Sequence, residues 1–283
     1  MFEMLLQPFQ YAFMVRGMLA AVLVGMVCAV VGTFVVLRGM AFFGDALAHT
    51  ILPGLAVGYL VGGGSREALF WWALGTAVVS AVSIGTVSRK LRLKEDTAIG
   101  IIFAGMFALG VALISSVRSY SVDLAHFLFG DILAVRESDL VRSAVFGGLV
   151  LVLIYAFYKE FTLLSFDPIL AATLRLPAHL LDLLLVVLIA ITIVVSLQTV
   201  GVALMVAMLI TPAATASLIT RRLPLMMFWA AVMAALSGIV GLYLSYYLNI
   251  ASGAAIVLTC TVGFMLVSVG RSLRERVFRV TTA

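Results

Sequence analysis

The chain has 283 residues, of which 64% are hydrophobic and only 11% charged, and its mean hydropathy is +1.23. This composition excludes a soluble globular fold and predicts an all-α, polytopic membrane protein. No hydrophilic stretch is long enough to form a separate globular domain, so residues 1–283 are predicted to form a single membrane domain. The net charge of +5 is attributed to basic loops, and no nucleic-acid binding is expected.

Apolar runs of about 20 residues, the length that crosses a bilayer, occur nine times along the chain. They lie near residues 11–37, 41–62, 68–88, 97–117, 139–158, 179–197, 199–220, 225–247 and 252–270. The two runs on either side of Gln198 have almost no loop between them, and the count is eight if they form one span. The first ten residues lack a basic region and lead into a full-length span, so a cleavable signal peptide is not expected.

The orientation follows from the positions of the basic residues. With nine crossings and the N-terminus outside, thirteen of the 18 Lys and Arg residues fall on the inner side. Cytoplasmic loops are the ones that carry an excess of Lys and Arg. The sequence therefore predicts an N-out, C-in chain, in the cell membrane.

The second span contains the polar stretch GDALAHTILPG. Asp45 and His49 are four residues apart, so their side chains share one face of a helix and can bind one divalent cation. Pro53 has no N–H, so the His49 carbonyl loses its helical hydrogen-bond partner. Its free oxygen is a third potential metal donor, beside the Asp45 carboxylate and the His49 imidazole. Charged groups inside a membrane are costly and usually face a cavity or an ion path. We predict a metal-passage site here; the structural alternative makes Asp45 an N-cap and His49 a core histidine bonded to a carbonyl.

The same span carries Gly54, Gly58 and Gly62 at four-residue intervals. Such a stripe of small residues lets a second helix approach closely. The stripe therefore predicts helix packing, and pairing with an identical subunit is left open.

Other potential metal ligands receive structural interpretations. His126 and Asp131 belong to the outer loop 118–138, but their spacing matches no recognisable site, and a short interfacial helix with polar side chains toward water is favoured. Cys28 and Cys260 lie in separate apolar runs without a CxxC spacing. Both are predicted to be buried thiols and neither a disulfide nor a metal pair.

The inner loop between the fifth and sixth spans contains the stretch SFDPILAATLRLP. Asp167 is a good N-cap, and Pro168 suits the first helical position, where its missing N–H costs nothing. Pro177 disfavours helix at the preceding residue and closes the segment. These signals predict a helix of about two turns within 165–177, which is too apolar for water and either lies on the membrane interface or docks into a groove on a partner protein.

A second proline lies within the seventh span. Pro212 frees the Met208 carbonyl, and Thr211 and Thr215 supply hydroxyl groups near the break. Together with Pro53, this pattern predicts two discontinuous helices that line a central pathway, as in many transporters.

Several motifs are absent from the sequence. None of the three lysines is followed by Ser or Thr, so there is no GxxxxGK[ST] loop for ATP, and HExxH and GxSxG are missing. A chain of buried carboxylates for proton relay is not evident either. The chain is therefore predicted not to be an enzyme and to need an external motor or none; the alternatives are a stand-alone divalent-metal channel or secondary carrier and, ranked last, a membrane metalloenzyme.

Four stretches resemble the permease subunit of ABC importers for manganese, zinc and iron. They are GDALAHTILPG, the EDTAIGI start of the fourth span, SFDPILAATLRLP and VGVALMVAMLITPAATA, in the family's order and across nearly the whole chain. The resemblance implies a homodimer in membrane lipid, served by a cytoplasmic ATP-binding subunit and an extracytoplasmic metal-binding protein. It implies Mn²⁺, Zn²⁺ or Fe²⁺ as transported substrate and no permanently bound cofactor.

The resemblance also implies roles for individual residues. Asp45 and His49 match the polar pair of the family's second span, which makes them metal-contacting positions. The segment 165–177 resembles the coupling helix that docks on the ATPase, with Phe166, Asp167, Pro168 and Ala171 on the docking face. Arg175 stands where the family usually has glycine, so the helix ends differently there or gains a contact to an acidic ATPase residue.

Overall fold

A computed structural model describes residues 7–115, 132–174 and 176–281, without the side chains of residues 168, 169, 172 and 275–281. The regular structure in those ranges is helical, with no strand. The predicted interfacial helix around His126 and Asp131, and the predicted role of Arg175, lie outside the described residues. The helices are α1 (Ala12–Leu37), α2 (Ala41–Thr50), α3 (Leu52–Gly62), α4 (Arg66–Lys90), α5 (Glu95–Ser115), α6 (Glu137–Ala156), α7 (Tyr158–Phe166), α8 (Pro168–Thr173), α9 (Ala178–Val200), α10 (Val202–Ile219), α11 (Leu223–Leu248) and α12 (Ser252–Thr281), with short 3-10 turns at Gln7–Gln10 and Ile132–Ala134.

Nine segments in the described part of the chain are long and apolar enough to cross a membrane. They are α1, α2 together with α3, α4, α5, α6, α9, α10, α11 and the Ser252–Arg274 part of α12. Each begins and ends within a few residues of the predicted span. The all-α, polytopic prediction is confirmed, and the chain is a multi-pass membrane protein.

Gly201 decides the count of nine. It is the single residue between α9 and α10, and its backbone has φ of +83°, a region that favours glycine. The Gly201 N–H closes α9 on the Leu197 carbonyl, while the Gly201 carbonyl accepts from Met205 N–H to begin α10. One residue is therefore enough to separate the two helices, and the described residues contain nine candidate spans.

The first long helix lies at the centre of the bundle. The α1 helix packs against α6, α9, α10 and α11, while α5 and most of α12 lie at the periphery and are little buried. Two buried polar contacts join the central helices: Cys28 Sγ lies 3.2 Å from Ser196 Oγ, and Ser143 Oγ lies 2.7 Å from Thr199 Oγ1. Hydrogen bonds of this kind hold membrane helices together where no hydrophobic effect drives their association.

The glycine stripe packs within the chain. A Cβ placed on Gly54 would overlap the backbone carbonyl of Trp72, and one on Gly62 would overlap Ala68. Both contacts belong to α4, so α3 and α4 form a closely packed helical hairpin. The predicted packing role is confirmed, and the close partner is a helix of the same chain.

Pro212 does not interrupt its helix. The α10 helix runs without a break from Val202 to Ile219, with Pro212 buried inside it. The Thr215 hydroxyl donates to the Thr211 carbonyl at 2.7 Å. One of the two hydroxyls that were predicted to lie beside a helix break is therefore used in a hydrogen bond within the helix. The prediction of a discontinuous seventh span is wrong, because neighbouring helices can accommodate a proline in a continuous membrane helix.

Candidate metal-passage site

Asp45 and His49 lie on one face of α2, as the sequence predicts. Asp45 Oδ1 is 3.8 Å from His49 Nε2, and the two side chains are 45% and 34% exposed in the single chain. The opposite face of α2 is buried, with Phe43, Ala46 and Leu47 in the core. The pair therefore lies on the outer surface of this chain with both polar groups accessible.

The span is interrupted directly after this pair. The α2 helix ends at Thr50, Ile51 forms a turn, and α3 begins at Leu52 with Pro53 in its first turn. The Ile51 N–H donates to the His49 carbonyl. The predicted discontinuity at Pro53 is confirmed, but the expectation of a free His49 carbonyl is wrong, because the turn supplies a donor that a continuous helix would not.

Aromatic rings from α5 flank the polar pair. The His49 ring is 6.1 Å from both Phe103 and Phe107, and Phe42 packs edge-on against Phe103 at 6.1 Å. Phe42 and Phe107 are themselves 48% and 39% exposed. Asp45 and His49 are thus polar groups set in an otherwise apolar outer surface.

One chain supplies few metal donors at this position. Among the described residues, no group of three or more His, Cys, Asp or Glu side chains is placed to bind a metal. Cys28 and Cys260 are free thiols, and both are buried as predicted. Within one copy, the side-chain donors are one carboxylate and one imidazole.

The short helix α8 begins as its sequence predicts. The Asp167 carboxylate accepts from Leu170 N–H at 2.9 Å, and Pro168 is the first helical residue. Phe166 is 58% exposed, whereas Ala171 is 1% exposed. The assignment of Ala171 to a docking face is wrong for this reason; helical spacing places it toward the chain, and Leu170 and Leu174 are exposed instead.

An ion-pair cluster beside α8 was not predicted. Arg38 Nη1 donates to Asp182 Oδ1 at 2.5 Å, and Arg89 Nη2 donates to Asp182 Oδ2 at 2.6 Å. Arg38 Nε also donates to Ser165 Oγ at 3.2 Å. The sequence contains one signal that could have indicated this cluster. Asp182 is an ionisable residue inside the predicted span 179–197, and such residues usually pair with an oppositely charged or polar group.

The comparison with protein families decides which family this fold represents. The model of the ABC 3 transport family matches residues 10–271. The chain belongs to that family. Its members include permease subunits of ABC transporters, so the predicted family is confirmed.

Individual relatives extend over the same length. The manganese transport system membrane protein MntC of Halalkalibacterium halodurans is 45% identical over 260 residues, which cover 92% of this chain and 88% of that protein. A Haemophilus influenzae protein named "Probable iron transport system membrane protein" is 36% identical over 276 residues, covering 98% of this chain and all of its own length. Among solved structures, PsaBC from Streptococcus pneumoniae in complex with Fab superposes with a TM-score of 0.80 at 37% identity, covering 94% of each chain.

Proposed function

We propose that this chain is the membrane permease of an ATP-driven importer that moves a divalent transition metal ion into a prokaryotic cell. The observation that carries the proposal is the Asp45–His49 pair on one helix face, in a family member whose relatives are named for manganese and iron transport. A separate cytoplasmic subunit hydrolyses ATP and docks at α8. An extracytoplasmic protein delivers the metal, and the chain lies N-out and C-in in the cell membrane.

A second copy of the chain completes the pathway in this proposal. An ionised carboxylate exposed to lipid is costly, so the half-exposed face that carries Asp45 must be covered or must line water. A two-fold related copy would cover it and bring two carboxylates and two imidazoles together. The exposed small residues of α5 beside this face, Ala104, Ala108 and Ala112, would allow the close approach.

The donor set allows manganese, iron and zinc. Carboxylate oxygen suits Mn²⁺, imidazole nitrogen suits Fe²⁺ and Zn²⁺, and intrinsic affinity alone ranks zinc above manganese. The relatives favour manganese as the first ion to test. The ion is held transiently, since a site on a transport path must bind weakly enough to release its ion.

Uptake of radiolabelled Mn²⁺, Zn²⁺ and Fe²⁺ into cells tests the proposal. Asp45→Asn and His49→Ala should each reduce uptake of the transported metal at least ten-fold at equal membrane expression, and ATP depletion should abolish it. Asp96→Asn and His179→Ala are matched controls, because both residues are exposed and lie outside the site. Their uptake should equal that of the parent chain.

Each other outcome has a definite meaning. Uptake that survives ATP depletion would favour a stand-alone channel or secondary carrier and would contradict the importer. Uptake that is indifferent to both site substitutions would make Asp45 and His49 structural residues.

A further inference from the structure

The Arg38 side chain contacts the chain on both sides of α8. Ser165, which accepts from Arg38 Nε, comes two residues before the Asp167 cap, and Asp182, which accepts from Arg38 Nη1, lies in the second turn of α9. Ser165 is fixed in turn by its own hydrogen bond to the Phe161 carbonyl at 2.7 Å. The two acceptors of this one guanidinium group therefore belong to the helices that precede and follow α8.

Arg38 also lies just before α2, the helix that carries Asp45 and His49. Only Gly39 and Met40 separate it from α2, and the Arg38 N–H still bonds to the Phe34 carbonyl at the end of α1. Gly39 has φ of +71°, a conformation that glycine adopts without strain. The turn that sets the direction of α2 is thus bonded to the segment that carries α8.

The cluster is nearly buried, and a small cavity lies beside it. The Arg38 and Asp182 side chains are 9% and 14% exposed. Arg38 Nη2 is buried and has no acceptor among the described residues, so the guanidinium retains a donor for a different arrangement. A small cavity of about 20 Å³ is lined by Asp182, Arg89, Glu95, Met40 and the α2 residue Phe43. The first turn of α2 therefore borders the same small cavity as the ion-pair cluster.

We propose that Arg38 and Asp182 are positioning residues that transmit movement of α8 to the helix that carries Asp45 and His49. Asp182 extends the connection to α4 through Arg89, which contributes a second ion pair. This inference rests on the proposed function, because α8 is the proposed docking point of the ATPase. Neither residue contacts the metal; both act through the position of α2.

The double variant Arg38→Gln/Asp182→Asn tests the inference. It removes both charges of the pair, which destabilises a buried site less than removing one partner. Its control, Glu67→Gln/Arg142→Gln, removes the ion pair between Arg142 Nη2 and Glu67 Oε1 (3.2 Å), which joins the N-terminal parts of α4 and α6. Both variants leave the net charge unchanged.

Vesicles that contain the complete importer provide the first measurement, the amount of ⁵⁴Mn²⁺ delivered per ATP hydrolysed. The Arg38→Gln/Asp182→Asn variant should keep the ATPase bound and hydrolysing within two-fold of the parent, while delivery falls at least ten-fold. The control should keep the parental ratio. A parallel fall of delivery and hydrolysis, or no change in either, would overturn the inference.

Hydrogen exchange of the purified chain in detergent separates this inference from the proposed function. Amides of α2 and α8 should exchange faster in the Arg38→Gln/Asp182→Asn variant, with those of α3 unchanged, and the control should match the parent. Unchanged exchange in α2 would overturn the connection. A parent chain that delivers none of Mn²⁺, Zn²⁺ or Fe²⁺ would contradict the proposed function, and the exchange result would still decide whether α2 and α8 are connected.

Discussion

Gly110 lies directly against Pro53: a Cβ placed on Gly110 would come within 3.0 Å of the Pro53 nitrogen and 2.5 Å of Leu52 Cβ. The α5 helix therefore reaches the chain at the interruption between α2 and α3. The absence of a side chain at Gly110 permits this close contact. The interruption is a packed feature of the fold.

Gly110→Ala should destabilise the chain, because the added methyl group forces α5 away from the break. Overpacking of this kind costs about 1–3 kcal/mol, and metal uptake should fall with it. Thermal unfolding in detergent and ⁵⁴Mn²⁺ uptake are the measurements. Gly148→Ala is the control, since no atom lies within 4 Å of a Cβ placed there; equal melting of the two variants would contradict the packing role of Gly110.

Gly54→Ala should separate α3 from α4. The added Cβ meets the backbone carbonyl of Trp72, which cannot rotate away as a side chain can. We expect a loss of about 1–3 kcal/mol in unfolding free energy, seen as a lower melting temperature that does not depend on protein concentration. Gly75→Ala has open space and should melt like the parent. A melting temperature that rises with concentration would instead place the stripe between two chains.

Phe166→Asp should weaken association with the ATPase subunit. Phe166 is 58% exposed directly before the Asp167 cap, and exposed aromatic side chains are frequent anchors of protein interfaces. Co-purification from membranes measures the effect, which should exceed ten-fold. Leu91→Asp is the control, because Leu91 is 65% exposed in the turn after α4. Equal recovery of the ATPase with both variants would remove α8 from the interface.

The two native thiols should be inert toward maleimide reagents in the folded chain. Cys28 and Cys260 are 0% and 4% exposed, and a buried thiol reacts only when the chain opens. Mass spectrometry should find neither modified until denaturant is added. A cysteine introduced at Leu91 should react in the same sample, and labelling of Cys28 under folding conditions would show that α1 and α9 separate.

Local signals in the sequence predicted much of the fold. The spans follow from the length of each apolar run, and α8 begins where Asp167 and Pro168 place its N-terminus, since both effects depend on neighbouring residues. Asp45 and His49 share a face for the same reason. The count at Gln198 was ambiguous because Gly201 separates two spans by its backbone conformation alone.

Contacts between distant residues were not predictable in this way. Pro53 and Pro212 look equivalent in the sequence, yet only Pro53 lies at an interruption, and that difference depends on how neighbouring helices pack. Ala171 was placed on the docking face by family resemblance, which does not show that packing against the rest of the chain buries this residue. Arg38 and Asp182 are 144 residues apart, and only the folded chain brings them together.

The depth of the interruption has an electrical consequence. The α2 and α3 helices have 10 and 11 residues and rise about 15 Å each, so His49 lies close to the middle of this candidate span. A divalent ion that reaches it from outside crosses about half of the membrane potential. Since a full crossing is worth about 2.3 kcal/mol per charge per 100 mV, two charges over half the field gain about that same amount per 100 mV. An inside-negative potential would therefore favour loading of the pair before any ATP is hydrolysed.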